Sequence, residues 1–151
     1  MRLRPRVNRP DRTADGRVMA AAADQDKVLA AIIKWIPVEV IASYEFLLGV
    51  IPATASGFRF GLSVAFSFLL TPLWVGFASR DAARNEPIAW RQVILSSIAF
   101  VLWALGTQVW IGSHLFSDWA PWMGSVVLGL GALILPIGDG ALARLGVRQI
   151  S

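Results

Sequence analysis

Polar and apolar positions in this chain are segregated into long blocks. Lys and Arg are absent from Trp35–Phe58, from Phe60–Ser79 and from Gln92–Ala143. Divided near Asp118, the last block makes two runs. Each run approaches the length of about 20 residues needed to span a hydrocarbon core. Four crossings are therefore predicted: Val38–Ala55, Phe60–Ser79, Ile88–Gly112 and Ala120–Ile137. Glu39 and Glu45 interrupt the first, Pro72 predicts a kink in the second, and Arg91 lies in the first turn of the third. Gly138-Asp139-Gly140 is expected to break the fourth, with Asp139 as a turn residue. The connecting loops are Arg80–Pro87 and Ser113–Trp119.

A shorter pattern precedes these runs. Asp24 can cap a helix over Asp24–Ile36 in which Val28, Ile32 and Trp35 share a side. The segment is too short and too charged to cross, so it is expected to lie at the inner interface. Pro37 is the predicted joint, because it removes a backbone donor and restricts Ile36. Residues 1–23 carry six Arg and two Pro and are expected to be disordered. They lack the apolar core of a secretory signal. Met19 is a second candidate start besides Met1. The predicted fold is all-α and polytopic, with four transmembrane helices after a short amphipathic interfacial helix. Its parts are a basic tail at 1–23, the interfacial helix at 24–37, the membrane domain at 38–140 and a second tail at 141–151.

Charge then orients the predicted crossings. Strung alternately, they put thirteen of the fourteen basic residues on one side and only Arg59 on the other. Cytoplasmic loops retain Lys and Arg, so both termini are expected in the cytoplasm. Tryptophans favour the headgroup level and agree with this arrangement. Trp35 and Trp90 fall at the inner boundary, Trp110, Trp119 and Trp122 at the outer one, and Trp103 mid-span.

Composition narrows the function classes. The chain of 151 residues is 56% hydrophobic and 16% charged, with mean hydropathy +0.59. Soluble domains carry about 25% charged residues. Little is left for a soluble catalytic domain. The net charge of +4 is read as orientation and attraction to anionic lipid, not as a nucleic-acid footprint. The absence of cysteine excludes disulfides, thiolate metal sites and cysteine nucleophiles. Twelve Arg against two Lys fits a GC-rich bacterial genome, and hence a bacterial inner membrane.

Candidate chemistry is sparse. Glu45 is expected about 10 Å along the first crossing, where an acid is costly and faces protein or water. Ala42 and Gly49 flank it at helical spacing. Ser63, Ser67 and Thr71 form a hydroxyl stripe on the second crossing. They are either partners of Glu45 or residues bonded back to their own helix. Gln108 is expected to hydrogen-bond between helices. Ser125 and Gly129, with Gly124, Gly131 and Ala132, form a small-residue ridge for packing. Glu39 is expected at the inner headgroups, paired with Arg80, Arg84 or Arg91. His114 and Asp118 would share a face only if their loop were helical, and no metal set is read from them. The run Glu39-Val40-Ile41-Ala42 looks like the first-helix motif of the small multidrug-resistance transporters. That resemblance stops at those four residues. The third-helix pattern of the family is not present, so the chain is not assigned to it.

These features predict a non-enzymatic membrane subunit or scaffold without cofactor or metal. It would assemble as a homo-oligomer or within a hetero-oligomeric membrane complex, presenting a basic face to a cytoplasmic protein partner. The alternative is an oligomeric ion channel or proton-coupled transporter using Glu45, or a membrane-permeabilising effector.

Overall fold

The computed structural model describes residues 24–80 and 88–146. The tail at 1–23 with Met19, the loop residues 81–87 including Arg84, and residues 147–151 with Arg148 lie outside the described residues. What is described is helical, without a strand. Helix α1 covers 24–33 and α2 covers Val38–Val50. Helix α3 (Ser56–Ala65) runs through a π turn (Phe66–Leu70) into α4 (Thr71–Ala78). Then come α5 (Trp90–Thr107), α6 (Val109–Leu115) and α7 (Pro121–Arg144).

Among the described residues three helices, not four, are long and apolar enough to cross a membrane: Ser56–Ala78, Trp90–Thr107 and Pro121–Arg144. The expected first crossing, Val38–Ala55, is helical only to Val50. Its 13 residues rise about 20 Å, against a core of about 30 Å. Pro52 lies just beyond, in a non-helical link to Ser56. The absence of Lys and Arg from this stretch, despite Glu39 and Glu45, had disguised a short helix as a span.

The other boundaries also move. The break expected at Pro72 takes the form of a widened turn. Pro72 has no N–H, and the Thr71 N–H reaches back five residues to the Phe66 carbonyl. The third crossing ends at Gln108, whose φ of −105° and ψ of 85° leave the helical region. The remainder of the predicted span, with Ser113, His114 and Leu115 of the predicted outer loop, becomes α6. The fourth does not break at Gly138-Asp139-Gly140. Helix α7 continues through Pro136 and both glycines to Arg144. Glycine exposes the helix backbone to competing water, and that competition is missing in hydrocarbon. Asp139 also has a partner to hold it, described below.

The contacts of α1 set its direction. Gln25 Nε2 donates to Ser125 Oγ at 3.4 Å, one turn from the Pro121 end of α7. Farther along, Ile32 Cδ1 lies against Gly131, where a Cβ would meet it at 3.1 Å. After the turn begins, the Trp35 carbonyl accepts from Ser96 Oγ at 2.7 Å, low on α5. Helix α1 therefore runs alongside the bundle from the Gln108 end towards the Arg91 end. It does not lie flat on an inner surface as expected. Helix α2 returns: Glu45 meets Gln108 at the far end of α5. Residues 24–50 form a helical hairpin tucked against three longer helices, with its tip at Lys34–Pro37.

The core forms where this hairpin meets the bundle. Ile32, Ile36, Val40, Tyr44 and Leu48 are buried with Phe66, Phe100, Trp103, Leu128 and Leu135. Tyr44 is at the centre, with 0% exposure and edge-on contacts to Phe66, Phe100 and Trp103 at 5.3, 5.2 and 5.8 Å. Edge-to-face geometry sets the positive ring rim against the negative face.

Candidate functional site

The Gln108 end gathers the polar groups of α2, α3, α5 and α6. The end of α5 puts Gln108 at a helix break, where its side chain is not bound to a regular helical face. Its Nε2 donates to Glu45 Oε1 at 3.1 Å, and its Oε1 accepts from Trp110 Nε1 at 3.1 Å. One amide thus joins α2 to the α5–α6 junction. The Arg59 guanidinium sits over the Trp110 ring at 5.1 Å, a cation–π arrangement. Nearby, His114 packs on Phe60 with ring centroids 4.4 Å apart. Helix α6 ends at Leu115, so His114 and Asp118 do not share a helical face. Among the described residues no cluster of three metal-ligating side chains occurs.

Glu45 is exposed and stands level with Gln108, at the end of α5. Its expected depth followed from a crossing that started at one headgroup layer. Because α2 starts from the hairpin tip at Lys34–Pro37, the same rise of about 1.5 Å per residue carries Glu45 to the Gln108 end of α5.

The hydroxyl stripe is buried but does not face Glu45. Ser67 Oγ donates to the Ser63 carbonyl at 2.8 Å, and Ser63 Oγ to the Arg59 carbonyl at 3.0 Å. Ser63 also lies 2.7 Å from Tyr44 OH. Since the Ser63 proton is directed to Arg59, the tyrosine is the donor in that bond. Thr71 Oγ1 is buried without a partner. Tyr44 was not singled out from sequence, although the only tyrosine in the chain, set in an apolar run, was the available signal.

At the Arg91 end an interhelical ion pair forms. Arg91 Nε and Nη2 both reach Asp139 Oδ1, at 2.6 and 2.5 Å. It ties the first turn of α5 to the last turns of α7. Asp139 is thus an interhelical partner and not a turn residue. The expected cluster of Glu39, Arg80 and Arg91 does not form around Arg91, whose partner is Asp139. Glu39 is exposed beside a depression with Ser43, Phe66 and Trp74. Arg80 lines a separate cavity between α4 and α5.

The small residues divide into two sets. Gly124 faces α5 so closely that a Cβ there would lie 2.6 Å from the Gly106 carbonyl oxygen. With Leu128, Gly131 and Leu135 it forms the buried face of α7. Ser125 and Gly129 lie one residue along, rotated about 100° from that seam. A Cβ added at Gly49 or Gly129 would meet nothing beyond its own helix within 4 Å among the described residues, and Ala42 is exposed. Ser125 instead takes the bond from Gln25.

No family model matches this chain, and neither a curated protein nor a solved structure matches it.

Proposed function

We propose that this chain is a small integral membrane subunit that oligomerises or anchors a partner at the cytoplasmic face. The observation that carries this reading is the division of its small residues. Gly106, Gly124 and Gly131 serve packing within the chain, whereas Ala42, Gly49 and Gly129 offer backbone to a neighbour. Close backbone approach is what membrane helices use to associate. Chemically capable side chains are engaged in internal contacts: Ser63 with Tyr44, and Asp139 with Arg91. Arg80, Arg91 and Arg144 share one end, whereas Lys27 and Arg59 lie towards the Gln108 end, Lys27 not with them as expected; by the positive-inside rule we take the Arg91 end as the cytoplasmic one. The composition fits a bacterial inner membrane.

Purification in mild detergent, with mass determination and identification of accompanying proteins, tests this. The expected result is a defined assembly larger than the 16.4 kDa chain. Gly49→Leu and Gly129→Leu should shrink that assembly while leaving the helical content unchanged. A wild-type chain that runs as a monomer without companions overturns the reading.

One observation favours a second reading. Glu45, exposed beside Gln108, would line a channel or proton pathway formed between copies. A permeabilising effector would use the same surface. Flux in liposomes that is abolished by Glu45→Gln establishes that reading over the subunit.

A further inference from the structure

A cavity of about 430 Å³ opens sideways between α4 and the start of α5. Its walls are apolar from Phe68 through Pro72 to Val93, and Arg80 and Trp90 stand at one end. Both of those residues are exposed. Gly76 forms part of the floor, where an added Cβ would make only ordinary contacts with the Ile88 and Val93 side chains, at 3.9 and 4.0 Å. The slot is therefore open because a side chain is missing, not because backbones are forced apart.

Its dimensions match one leaflet. From Phe68 to Arg80 the helix rises about 18 Å, and half of a hydrocarbon core is about 15 Å. In a helix that spans the membrane, this length would put the charged end at the headgroup level and the apolar end near the bilayer middle. Tryptophan at the mouth suits the same interface. A basic residue at the rim of a groove between transmembrane helices recognises an anionic headgroup. A soluble apolar ligand would have no use for the cation, and a free anion would have no use for the slot.

We propose that this groove holds one acyl chain of an anionic phospholipid, with its phosphate on the Arg80 guanidinium. A monomer would bind such a lipid equally well, so the site stands apart from the subunit reading. The lipid seals α4 to α5 at the end where Ser79 Oγ accepts from the Ala89 N–H at 3.4 Å.

The test uses the full-length chain in a zwitterionic detergent, with native mass spectrometry and thermal unfolding. Phosphatidylglycerol, phosphatidylcholine and inorganic phosphate are the three probes. Phosphatidylglycerol should remain bound and raise the unfolding temperature. Phosphatidylcholine should bind about five-fold more weakly, the worth of one basic residue near the surface. Phosphate should do nothing. Arg80→Gln should reduce phosphatidylglycerol to the phosphatidylcholine level. Gly76→Leu should fill the slot and weaken both lipids. Equal retention of the two lipids by the wild type overturns the proposal. So does a phosphatidylglycerol preference that survives Arg80→Gln, which needs no change in packing. Protection by phosphate alone would also overturn it, since the acyl groove would then contribute nothing.

Discussion

Tyr44 OH donates to Ser63, and Ser63 donates onward to the Arg59 carbonyl. This direction makes the pair asymmetric. Tyr44→Phe removes a donor and leaves Ser63 bonded to its own helix, so the loss should be small. Ser63→Ala leaves a buried phenol without an acceptor and should cost about 1–3 kcal/mol. The double variant should recover most of that loss. Thermal unfolding in detergent checks the order, and a larger effect for Tyr44→Phe would reverse the assigned donor. Thr71 gives the converse case. Its side chain is fully buried and its hydroxyl has no partner. Thr71→Val keeps the shape and removes the cost of burying an unpaired hydroxyl, so it should stabilise by about 1 kcal/mol. A destabilised Thr71→Val would show that the hydroxyl is bonded in the bilayer. At this scale the sequence shows that Ser63, Ser67 and Thr71 share a face, but not which side chain meets it. A stripe at four-residue spacing gives one face of one helix. It says nothing about which side chain of another helix arrives there.

Between elements, the decisive contacts are Gly124 on Gly106 and Asp139 on Arg91. A methyl at Gly124 would meet backbone, which cannot rotate away as a side chain can. Gly124→Ala should therefore separate α5 from α7 and cost about 1–3 kcal/mol. Gly129→Ala on the same helix should leave the isolated chain unchanged, because the added Cβ would meet no other described element within 4 Å. Equal losses from the two substitutions would refute the seam. At the other end of the same helix pair, Asp139→Ala strands the Arg91 guanidinium, which is only 13% exposed. That should cost about 3 kcal/mol. Replacing both residues by Leu should cost much less, because no charge is then left alone. Unfolding of the two variants under one detergent condition makes the comparison. The small-residue ridge was visible in the sequence, but its facing residue was not. Ser125/Gly129 and Gly124/Gly131 are both small, and only the position of α5 selects between them. Likewise Gly138-Asp139-Gly140 reads as a break because glycine is weak in a helix in water. An interhelical carboxylate in an apolar setting reverses that expectation.

The whole molecule differs from its linear reading in the direction of its first two helices. A single interrupted crossing would place Asp24 and Leu145 at the same end. The hairpin places α1's start by Ser125 and the end of α7 beyond Asp139, at opposite ends. The chain has no native cysteine, so single reporters are clean. Asp24→Cys and Leu145→Cys should label from opposite sides of the membrane with an impermeant thiol reagent. Labelling from the same side would restore the four-crossing arrangement and remove the hairpin. Loss of surface labelling at Asp24 alone would mean that α1 enters more deeply than its contact with Ser125.

The sequence by itself determined that the described chain is helical and marked four apolar runs, of which three are helices long and apolar enough to cross a membrane. Those properties follow from local composition, since each helix satisfies its own backbone and needs only an apolar length. It also showed the basic residues at Arg80, Arg91 and Arg144, which the structure places at one end of the bundle. Only the tertiary structure decided that Val38–Val50 returns from a hairpin tip instead of crossing. It likewise decided that Glu45 meets Gln108, that Tyr44 serves Ser63, and that Arg91 meets Asp139. Hydrophobicity fixes how much of a helix is buried in lipid or protein, but not which neighbour it meets. That choice depends on contacts between residues far apart in the chain, such as Gly124 with Gly106 and Ile32 with Gly131, where the absence of a side chain admits the partner.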